Sequence, residues 1–229
     1  MNKILVIIPA RSGSKGIKNK NIIRIKNKPL IFYTINPALK IKKEGLVEDV
    51  IISTDSPRIV GISRKMGATV PFLRPRNISG DKAKSIDFIL HAVSFFEKKG
   101  VFYSDVVLLQ PTSPLRKYED IKGAINLYIK NKNHSLISAY QESGITENII
   151  YIKKRDRAIP VLVNHGDGKR RQDSNNIFVR NGAIYIVSVE YLKKFHKIIS
   201  DNPLLFEMPK QRSLNLDSRE DLKELRNIL

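Results

Sequence analysis

A cationic stretch that contains no acidic residue follows the first apolar run of the chain. Gly13 and Gly16 lie in its tightest part. Glycine lets the backbone approach a ligand closely, successive N–H groups can form an anion-binding nest, and Lys and Arg side chains neutralise phosphate charges. We predict a polyphosphate-binding loop here; the alternative is a solvated basic loop. The seven basic residues are Arg11, Lys15, Lys18, Lys20, Arg24, Lys26 and Lys28.

Strand and helix patterns predict the scaffold that holds this loop. Ile4 to Ile8 form a short β-favouring run that ends at Pro9, which is typical of a buried strand. The glycine spacing after it matches neither G-x-x-x-x-G-K-[ST] nor G-x-G-x-x-G. Strands and helices then alternate, which predicts an α/β fold: a mostly parallel, Rossmann-like sheet with helices on both faces.

The expected elements can be placed along the chain. Pro37 is expected to end or kink the helix over 30–43, and Ser218 is expected to cap the last helix, over 218–229. From 141 to about 179 the alternation breaks down, which indicates β-hairpin and loop material projecting from a single domain of residues 1–229. Strands are expected at 47–56, 67–75, 106–109, 135–140 and 204–208, helices at 59–66, 85–98 and 117–131, and regular α/β structure over 181–195.

Polar side chains follow four of the predicted strands. In parallel α/β sheets, ligands bind outside the carboxyl ends of the strands. Several polar loops on one edge therefore predict a site for a large, polar, anionic ligand. The residues are Arg11, Ser14, Lys15 and Lys20 after the first strand, Ser53 to Asp55 after the second, Arg74, Arg76 and 79–82 after the third, and Gln110, Thr112, Ser113 and Arg116 after the fourth.

Composition narrows the class of protein. The chain has 229 residues, of which 41% are hydrophobic, and it has no long apolar stretch or signal-peptide core, so we expect a cytoplasmic globular protein. Because it has no Cys and only four scattered His, it offers neither disulfides nor a Cys-ligated zinc site. The net charge of +19 favours anionic partners. Nucleic acid is one alternative, but aromatic residues make up only 7% and Trp is absent, which leaves few platforms for base stacking.

Several segments resemble one family. The string PARSGSKGIKNKN, from Pro9, is similar to the N-terminal motif of the cytidylyltransferases that activate nine-carbon α-keto acid sugars, namely the CMP-sialic acid synthetases and their legionaminic and pseudaminic relatives. The strings LLQPTSPLR, NGAIY and SLNLDSREDL extend the resemblance over most of the chain. It implies a nucleotide-diphospho-sugar transferase type of fold, a homodimer built through residues 141–180, and a role in surface polysaccharide biosynthesis.

The resemblance also implies roles for individual residues. Asp217 and Asn215 match the alternating pair that binds Mg²⁺ in the family, where the first position is also Asp. The residues implied to bind the nucleotide are Arg11, Ser14, Lys15, Gly16, Lys20, Asn21, Arg74, Ser79 and Asp81, and those implied to bind the sugar are Gln110, Arg171, Gln172 and Asn181.

The chain departs from the family pattern at three places. Asn215 brings no negative charge and is a weaker ligand for a hard cation, so Asp217 is expected to need help from phosphate oxygens and water. Lys82 and Lys84 replace small residues, and the sugar region reads ESGITEN over 142–148. The sugar therefore stays open among sialic, legionaminic, pseudaminic and ketodeoxyoctonic acids, and Asn215 leaves a catalytically weakened relative as a further alternative.

The implied reaction is nucleotidyl transfer from CTP. The anomeric hydroxyl of the sugar attacks the α-phosphorus, and pyrophosphate leaves. This step needs charge neutralisation, in-line positioning and a metal that bridges phosphate oxygens. We expect Arg11, Lys15 and Lys20 to stabilise the pyrophosphate, Mg²⁺ on Asp217 to assist, and Arg171 to bind the sugar carboxylate. The sequence identifies no general base.

Overall fold

A six-stranded mixed sheet forms the centre of the computed structural model, which describes residues 3–13, 16–131, 133–146, 149–161 and 175–229. The strand order is β10-β6-β9-β5-β1-β4, and β9 alone runs antiparallel to its neighbours. The strands are β1 (Ile4–Pro9), β2 (Arg24–Ile25), β3 (Lys28–Pro29), β4 (Asp49–Ser53), β5 (Asp105–Leu108), β6 (Ser135–Thr146), β7 (Tyr151–Lys154), β8 (Arg157–Pro160), β9 (Asn176–Ser188) and β10 (Leu204–Glu207).

Helices cover both faces of this sheet, as the sequence predicts. Successive side chains of β1 point to opposite faces, so Val6 packs into one apolar cluster and Leu5 into another. α1 and α4 contribute to the first cluster, and α3 and α5 to the second. The helices are α1 (Phe32–Lys43), α2 (Pro57–Lys65), α3 (Ser85–Glu97), α4 (Tyr118–Asn131), α5 (Val189–Phe195) and α6 (Arg219–Ile228). Within the described ranges, every helix is too short or too polar to span a membrane.

A third, smaller apolar cluster ties the start of the chain to its end. Ile17, Ile25 and Leu30 from the N-terminal region pack with Leu216 and Leu225 from the C-terminal region. The Ser218 hydroxyl accepts a hydrogen bond from the backbone N–H of Asp221 at 3.1 Å, so the predicted cap of α6 is confirmed. This cluster brings the C-terminal segment against the glycine-containing loop after β1.

Two expectations about local structure are wrong in whole or in part. Helix α1 does not end at Pro37 but continues to Lys43, because Ile35, Ala38 and Ile41 are buried against the sheet and their packing outweighs the lost hydrogen bond. The segment 67–75 is not a regular strand. It makes two isolated bridges beside β4, at Thr69 and Leu73, since the intervening Pro71 has no N–H to donate.

The described part of the 141–180 segment is β structure. Strands β6 and β9 extend as a two-stranded ribbon beyond the region where β10 and β5 pair with them, and β7 and β8 form a separate hairpin. All eight residues of the hairpin except Pro160 are exposed. The absence of helix matches the expectation for these described residues, and the role as lid or subunit contact stays a prediction.

Candidate active site

The loop after β1 is held by its neighbour β4 and by the residues that follow β4. Ala10 donates its backbone N–H to the carbonyl of Ser53 at 2.9 Å. Ser12 donates its backbone N–H and its hydroxyl to the two oxygens of Asp55, at 2.7 Å and 2.6 Å. The Asp55 carboxylate therefore fixes the direction in which the loop leaves the sheet. The sequence placed Asp55 at a strand end without assigning it this role.

Lys20 connects this loop to the C-terminal segment. Its ammonium group donates to the carbonyl of Leu216 at 2.8 Å and to Asp217 Oδ1 at 2.9 Å. Asn21 donates from its amide nitrogen to the carbonyl of Arg11 at 2.9 Å, which closes the loop on itself. The two predicted catalytic residues Lys20 and Asp217 are thus adjacent, although 197 positions separate them in the chain.

Gly16 is required by a close approach to backbone. A Cβ atom added at Gly16 would lie 2.4 Å from the carbonyl oxygen of Asp217, a distance that side chains do not occupy. The sequence interpretation gave glycine the task of admitting a ligand. The structure supplies a different reason, since Gly16 lets the loop pack directly against the segment that bears Asp217.

Arg74 is held at the end of β4 by its contacts with Ser53. Its guanidinium donates to the hydroxyl of Ser53 at 3.0 Å and to the Ser53 carbonyl at 2.5 Å, and it stacks 4.4 Å from the ring centre of Phe88. Burial lowers the pKa of Arg74 to about 10, with Asp55 acting to raise it and Arg11 to lower it. Arg74 therefore stays cationic at neutral pH while its position is fixed.

An ion pair joins the loop after β1 to the segment that precedes α3. Arg11 Nη1 lies 2.7 Å from Asp81 Oδ1, and both side chains are partly exposed. Ser79, predicted to bind the nucleotide, is buried and donates its hydroxyl to the carbonyl of Pro75 at 2.8 Å. It does not line the cleft that the other residues of the site surround. Its contribution is to shape the turn before Asp81.

These residues surround a cleft of about 490 Å³, here called the first cleft. Three cationic groups face a space large enough for a nucleotide, which is the arrangement expected of a polyphosphate site. The predicted residues that line it are Arg11, Gly13, Gly16, Lys20, Asn21, Arg74, Asp81, Gln110, Thr112, Asn215 and Asp217, and they are joined by Phe88, among others. Phe88 was not singled out in the sequence, because its position on a helix face is typical of a core residue.

A second cleft of about 820 Å³ shares Gln110 and Asn215 with the first. Arg180 and Lys210 are its cationic lining residues. Lys210 forms an ion pair with Glu142, whereas in the described part of the chain Arg180 has no carboxylate partner and lies 5.8 Å from the ring centre of Tyr185. Burial raises the pKa of the Tyr185 phenol, and Arg180 acts to lower it. Arg180 is a candidate anion-binding group that the sequence interpretation missed beside the more obvious Arg171.

Asn181 lies at the base of the second cleft but is 5% exposed. Its amide oxygen accepts from Ser138 at 2.6 Å and from the N–H of Ala183 at 3.1 Å, and its amide nitrogen donates to Ser213 at 2.9 Å. These bonds make Asn181 a positioning residue for the cleft wall. Its predicted contact with a sugar stays a prediction.

Arg116 is buried behind both clefts. Its guanidinium donates to the carbonyls of Ala183 and Gln110, at 2.6 Å and 3.2 Å, and to the hydroxyl of Thr34 at 2.8 Å. Burial lowers its pKa to about 9, against the opposing effect of Asp120. Arg116 thus connects the end of β5 to β9 and fixes Gln110 at the junction of the clefts.

The donor set at Asp217 suits a magnesium ion that also binds phosphate. Asn215 donates its amide nitrogen to Asp217 Oδ2 at 2.5 Å, and Lys20 bonds to Oδ1, so both carboxylate oxygens face polar groups at the cleft. No cluster of three or more His, Cys, Asp or Glu that could hold a metal occurs among the described residues. Mg²⁺ commonly binds through one or two carboxylates plus substrate phosphates and water, so one carboxylate and one amide oxygen fit this ion.

Four predicted site residues lie outside the described residues. They are Ser14, Lys15, Arg171 and Gln172. Their expected contacts with phosphate and sugar stay predictions from the sequence resemblance.

Comparisons with known proteins identify the family of the chain. A family profile described as cytidylyltransferase matches residues 5–160. The chain is 34% identical over 221 residues to an N-acylneuraminate cytidylyltransferase of Escherichia coli, covering 96% of this chain and 51% of the relative. It is 30% identical to a pseudaminic acid cytidylyltransferase of Campylobacter jejuni and 32% identical to a CMP-N,N'-diacetyllegionaminic acid synthase of Legionella pneumophila, covering 94% and 93% of them and 96% of this chain in each case.

A solved structure supports the fold. CMP:2-keto-3-deoxy-manno-octonic acid synthetase complexed with CTP superposes with a TM-score of 0.72 at 18% identity, and the match covers 99% of this chain and 98% of that one. The predicted α/β fold of nucleotidyltransferase type is therefore confirmed. The chain spans about half the length of the Escherichia coli relative and nearly all of the two from Campylobacter and Legionella.

Proposed function

This chain belongs to the cytidylyltransferase family, and we propose that it transfers the cytidylyl group of CTP to an acidic nine-carbon keto sugar, with release of pyrophosphate. The observation that supports this most directly is the pair of adjoining clefts. Arg11, Lys20 and Arg74 line the first, which suits a triphosphate, and Gln110 lies where it meets the second. An acid sugar in the second cleft would lie next to a nucleotide in the first.

The residues of the first cleft have separate roles in the proposed reaction. The hydroxyl oxygen bonds to the α-phosphorus and releases its proton to water as the bond to pyrophosphate breaks, and negative charge develops on the leaving group. Arg11 and Lys20 neutralise that charge, and Arg74, fixed by Ser53, holds the nucleotide in place. Asp217, with the amide oxygen of Asn215, would hold Mg²⁺, which supplies further charge neutralisation at the phosphates when it is bound.

In the second cleft, the sugar carboxylate needs a cationic partner. Arg171 is the partner that the sequence resemblance implies, and Arg180 is the described cation that lacks a carboxylate partner in the part of the chain seen in the structure. A planar guanidinium can bind a carboxylate through two parallel hydrogen bonds. We propose that Arg180 shares or takes over this contact.

The decisive experiment measures pyrophosphate release with each of four nucleoside triphosphates and a panel of sialic, legionaminic, pseudaminic and ketodeoxyoctonic acids, with and without Mg²⁺. We expect CTP and one nine-carbon acid to stand out, with dependence on Mg²⁺. Lys20→Ala and Asp217→Ala should each lower turnover by about 10² to 10³, and Lys15→Ala should do likewise. Wild-type rates in Lys20→Ala and Asp217→Ala, or no pyrophosphate with any acid sugar, would contradict the proposal.

A homodimer and a cytoplasmic location belong to the same proposal. The 141–180 segment exposes apolar side chains that an interface would cover, and these include Ile145, Ile149, Ile152, Ile159 and Phe178. Sedimentation of the protein beside its Ile152→Asp variant tests the dimer. A monomer in the unaltered protein would remove that part of the proposal.

A further inference from the structure

A groove on the outer side of the loop after β1 is strongly cationic. It lies between that loop and α6, has a volume of about 490 Å³, and shares only Gly16 with the lining of the first cleft. Lys18, Arg219, Lys223 and Arg226 line it, and its lining includes no acidic side chain. We call it the basic groove. Within the described ranges, none of these four side chains forms a salt bridge or side-chain hydrogen bond.

Two of the cations of α6 occupy positions that are unfavourable for the helix. Arg219 and Lys223 are four positions apart and therefore neighbours on one stripe, where like charges destabilise a helix. Arg219 is also the first residue of α6, where the helix dipole disfavours a positive charge. Glu220, Asp221 and Glu224 offset part of this charge, but none of the three lines the basic groove. An anionic ligand would relieve both unfavourable arrangements.

The floor of the groove is apolar. Ile17 and Leu222 are buried there, 6% and 9% exposed, and Ile23 is partly buried beside them. Cationic walls over an aliphatic floor suit a molecule with phosphate groups and an apolar part, and the volume lies in the range of small-molecule pockets.

We propose that the basic groove is a binding site for a soluble organic polyphosphate, separate from the first cleft. The phosphates lie between Lys18 and the three cations of α6, and the organic part lies on Ile17 and Leu222. A ligand there joins the loop to α6. The site goes beyond the proposed transferase reaction and requires no chemical step.

The chain contains neither Trp nor Cys, so a single Trp can report on the groove alone. Asn227 lines the groove and is exposed, which makes Asn227→Trp a suitable reporter. Its fluorescence is titrated with inorganic triphosphate and with ATP at physiological salt. We expect a saturable change, with half-saturation at or below about 1 mM, and tighter binding of ATP because its organic part contacts the floor.

Substitutions test which residues bind the probes. Lys223→Ala and Arg226→Ala in the reporter background should each weaken binding about tenfold, the effect of losing one charge-assisted hydrogen bond. Lys153→Ala removes the same charge from the exposed hairpin and should change nothing. Arg11→Ala should leave the titration intact, because Arg11 lines the first cleft and not the basic groove, and its ion pair is with Asp81.

Four results would overturn the proposal. They are the absence of saturation with both probes, binding in the Lys223→Ala and Arg226→Ala variants as tight as in the reporter protein, loss of the signal in Arg11→Ala, and a preference for phosphatidylglycerol vesicles over both soluble probes. The last would assign the groove to a membrane surface.

Discussion

Replacing Gly16 by Ala tests how closely the loop after β1 must pack against Asp217. The added Cβ would lie 2.4 Å from the backbone carbonyl oxygen of Asp217, and ordinary contact begins near 3.4 Å, so loop and C-terminal segment must separate by about 1 Å. A displacement of this size costs roughly 10²-fold in rate, or about 2.7 kcal/mol of transition-state stabilisation. We expect kcat/KM for CTP to fall by that factor.

The assay is pyrophosphate release at saturating acid sugar, with thermal unfolding measured in parallel. Gly13→Ala is the matched control in the same loop, since a Cβ there meets nothing within 4 Å. We expect Gly13→Ala to lose less than about tenfold, because it needs no backbone displacement. If Gly16→Ala keeps kcat/KM within about threefold of the unaltered protein, the close packing of loop and Asp217 has no catalytic importance and the reasoning fails.

Three further predictions follow from the site and its surroundings. Asn215→Asp adds a second carboxylate beside Asp217 and should lower the Mg²⁺ concentration for half-maximal activity several-fold; an unchanged or higher concentration would argue against a metal at this pair. Arg180→Ala should raise KM for the acid sugar about tenfold or more and leave KM for CTP unchanged. Lys210→Ala should have a smaller effect, because Lys210 is already paired with Glu142, and equal effects of the two substitutions would remove the special role of Arg180. The pKa of His91 is lowered by burial and also by Arg74 and Lys98, so the unfolded chain binds the proton more readily than the folded protein, and stability falls as pH drops below the usual imidazole pKa of about 6.5. His91→Phe should therefore flatten the loss of Tm between pH 7 and 5, and an unchanged slope would refute this reasoning.

The sequence predicts the fold where local pattern and packing agree. The apolar run of β1, the helices on both faces and the capping box at Ser218 all follow from periodicity and side-chain chemistry. The errors at Pro37 and at 67–75 arise where local rules oppose tertiary context. Burial of the α1 face keeps that helix intact, and prolines keep the extended segment beside β4 from forming a ladder.

Much of the candidate site is also readable from the sequence, because strand ends and motif resemblance select the same residues. Alternation predicts that Asn215 and Asp217 share one face, and this is confirmed: both line the first cleft, while Leu216 between them is fully buried. The sequence could not distinguish residues that line a cleft from residues that shape it. Ser79 is buried and bonded within its own turn, to Pro75, and Asn181 is buried and bonded to Ser213, which is 32 positions away.

Arg180 shows the limit of reading charge from the sequence. The chain carries 41 Lys and Arg residues, so no single one stands out by type. What separates Arg180 from Lys210 is that Glu142 neutralises one and no described carboxylate neutralises the other, and this follows only from the pairing of β6 with β9 and the position of the turn after β10. In the second cleft, the cation without a described carboxylate partner is therefore the better candidate for binding an anion.

The geometry of the first cleft depends on a core that is separate from the sheet. Ile17 and Leu30 from the N-terminal region and Leu216 and Leu225 near the C-terminus pack together, and this small cluster sets the distance between Lys20 and Asp217. The sheet fixes only where the loop begins, through Ser53 and Asp55. Two independent supports therefore hold the two halves of the phosphate site. A change in the small cluster should alter catalysis before it alters the stability of the sheet, since none of these four residues belongs to the two apolar clusters on the faces of the sheet.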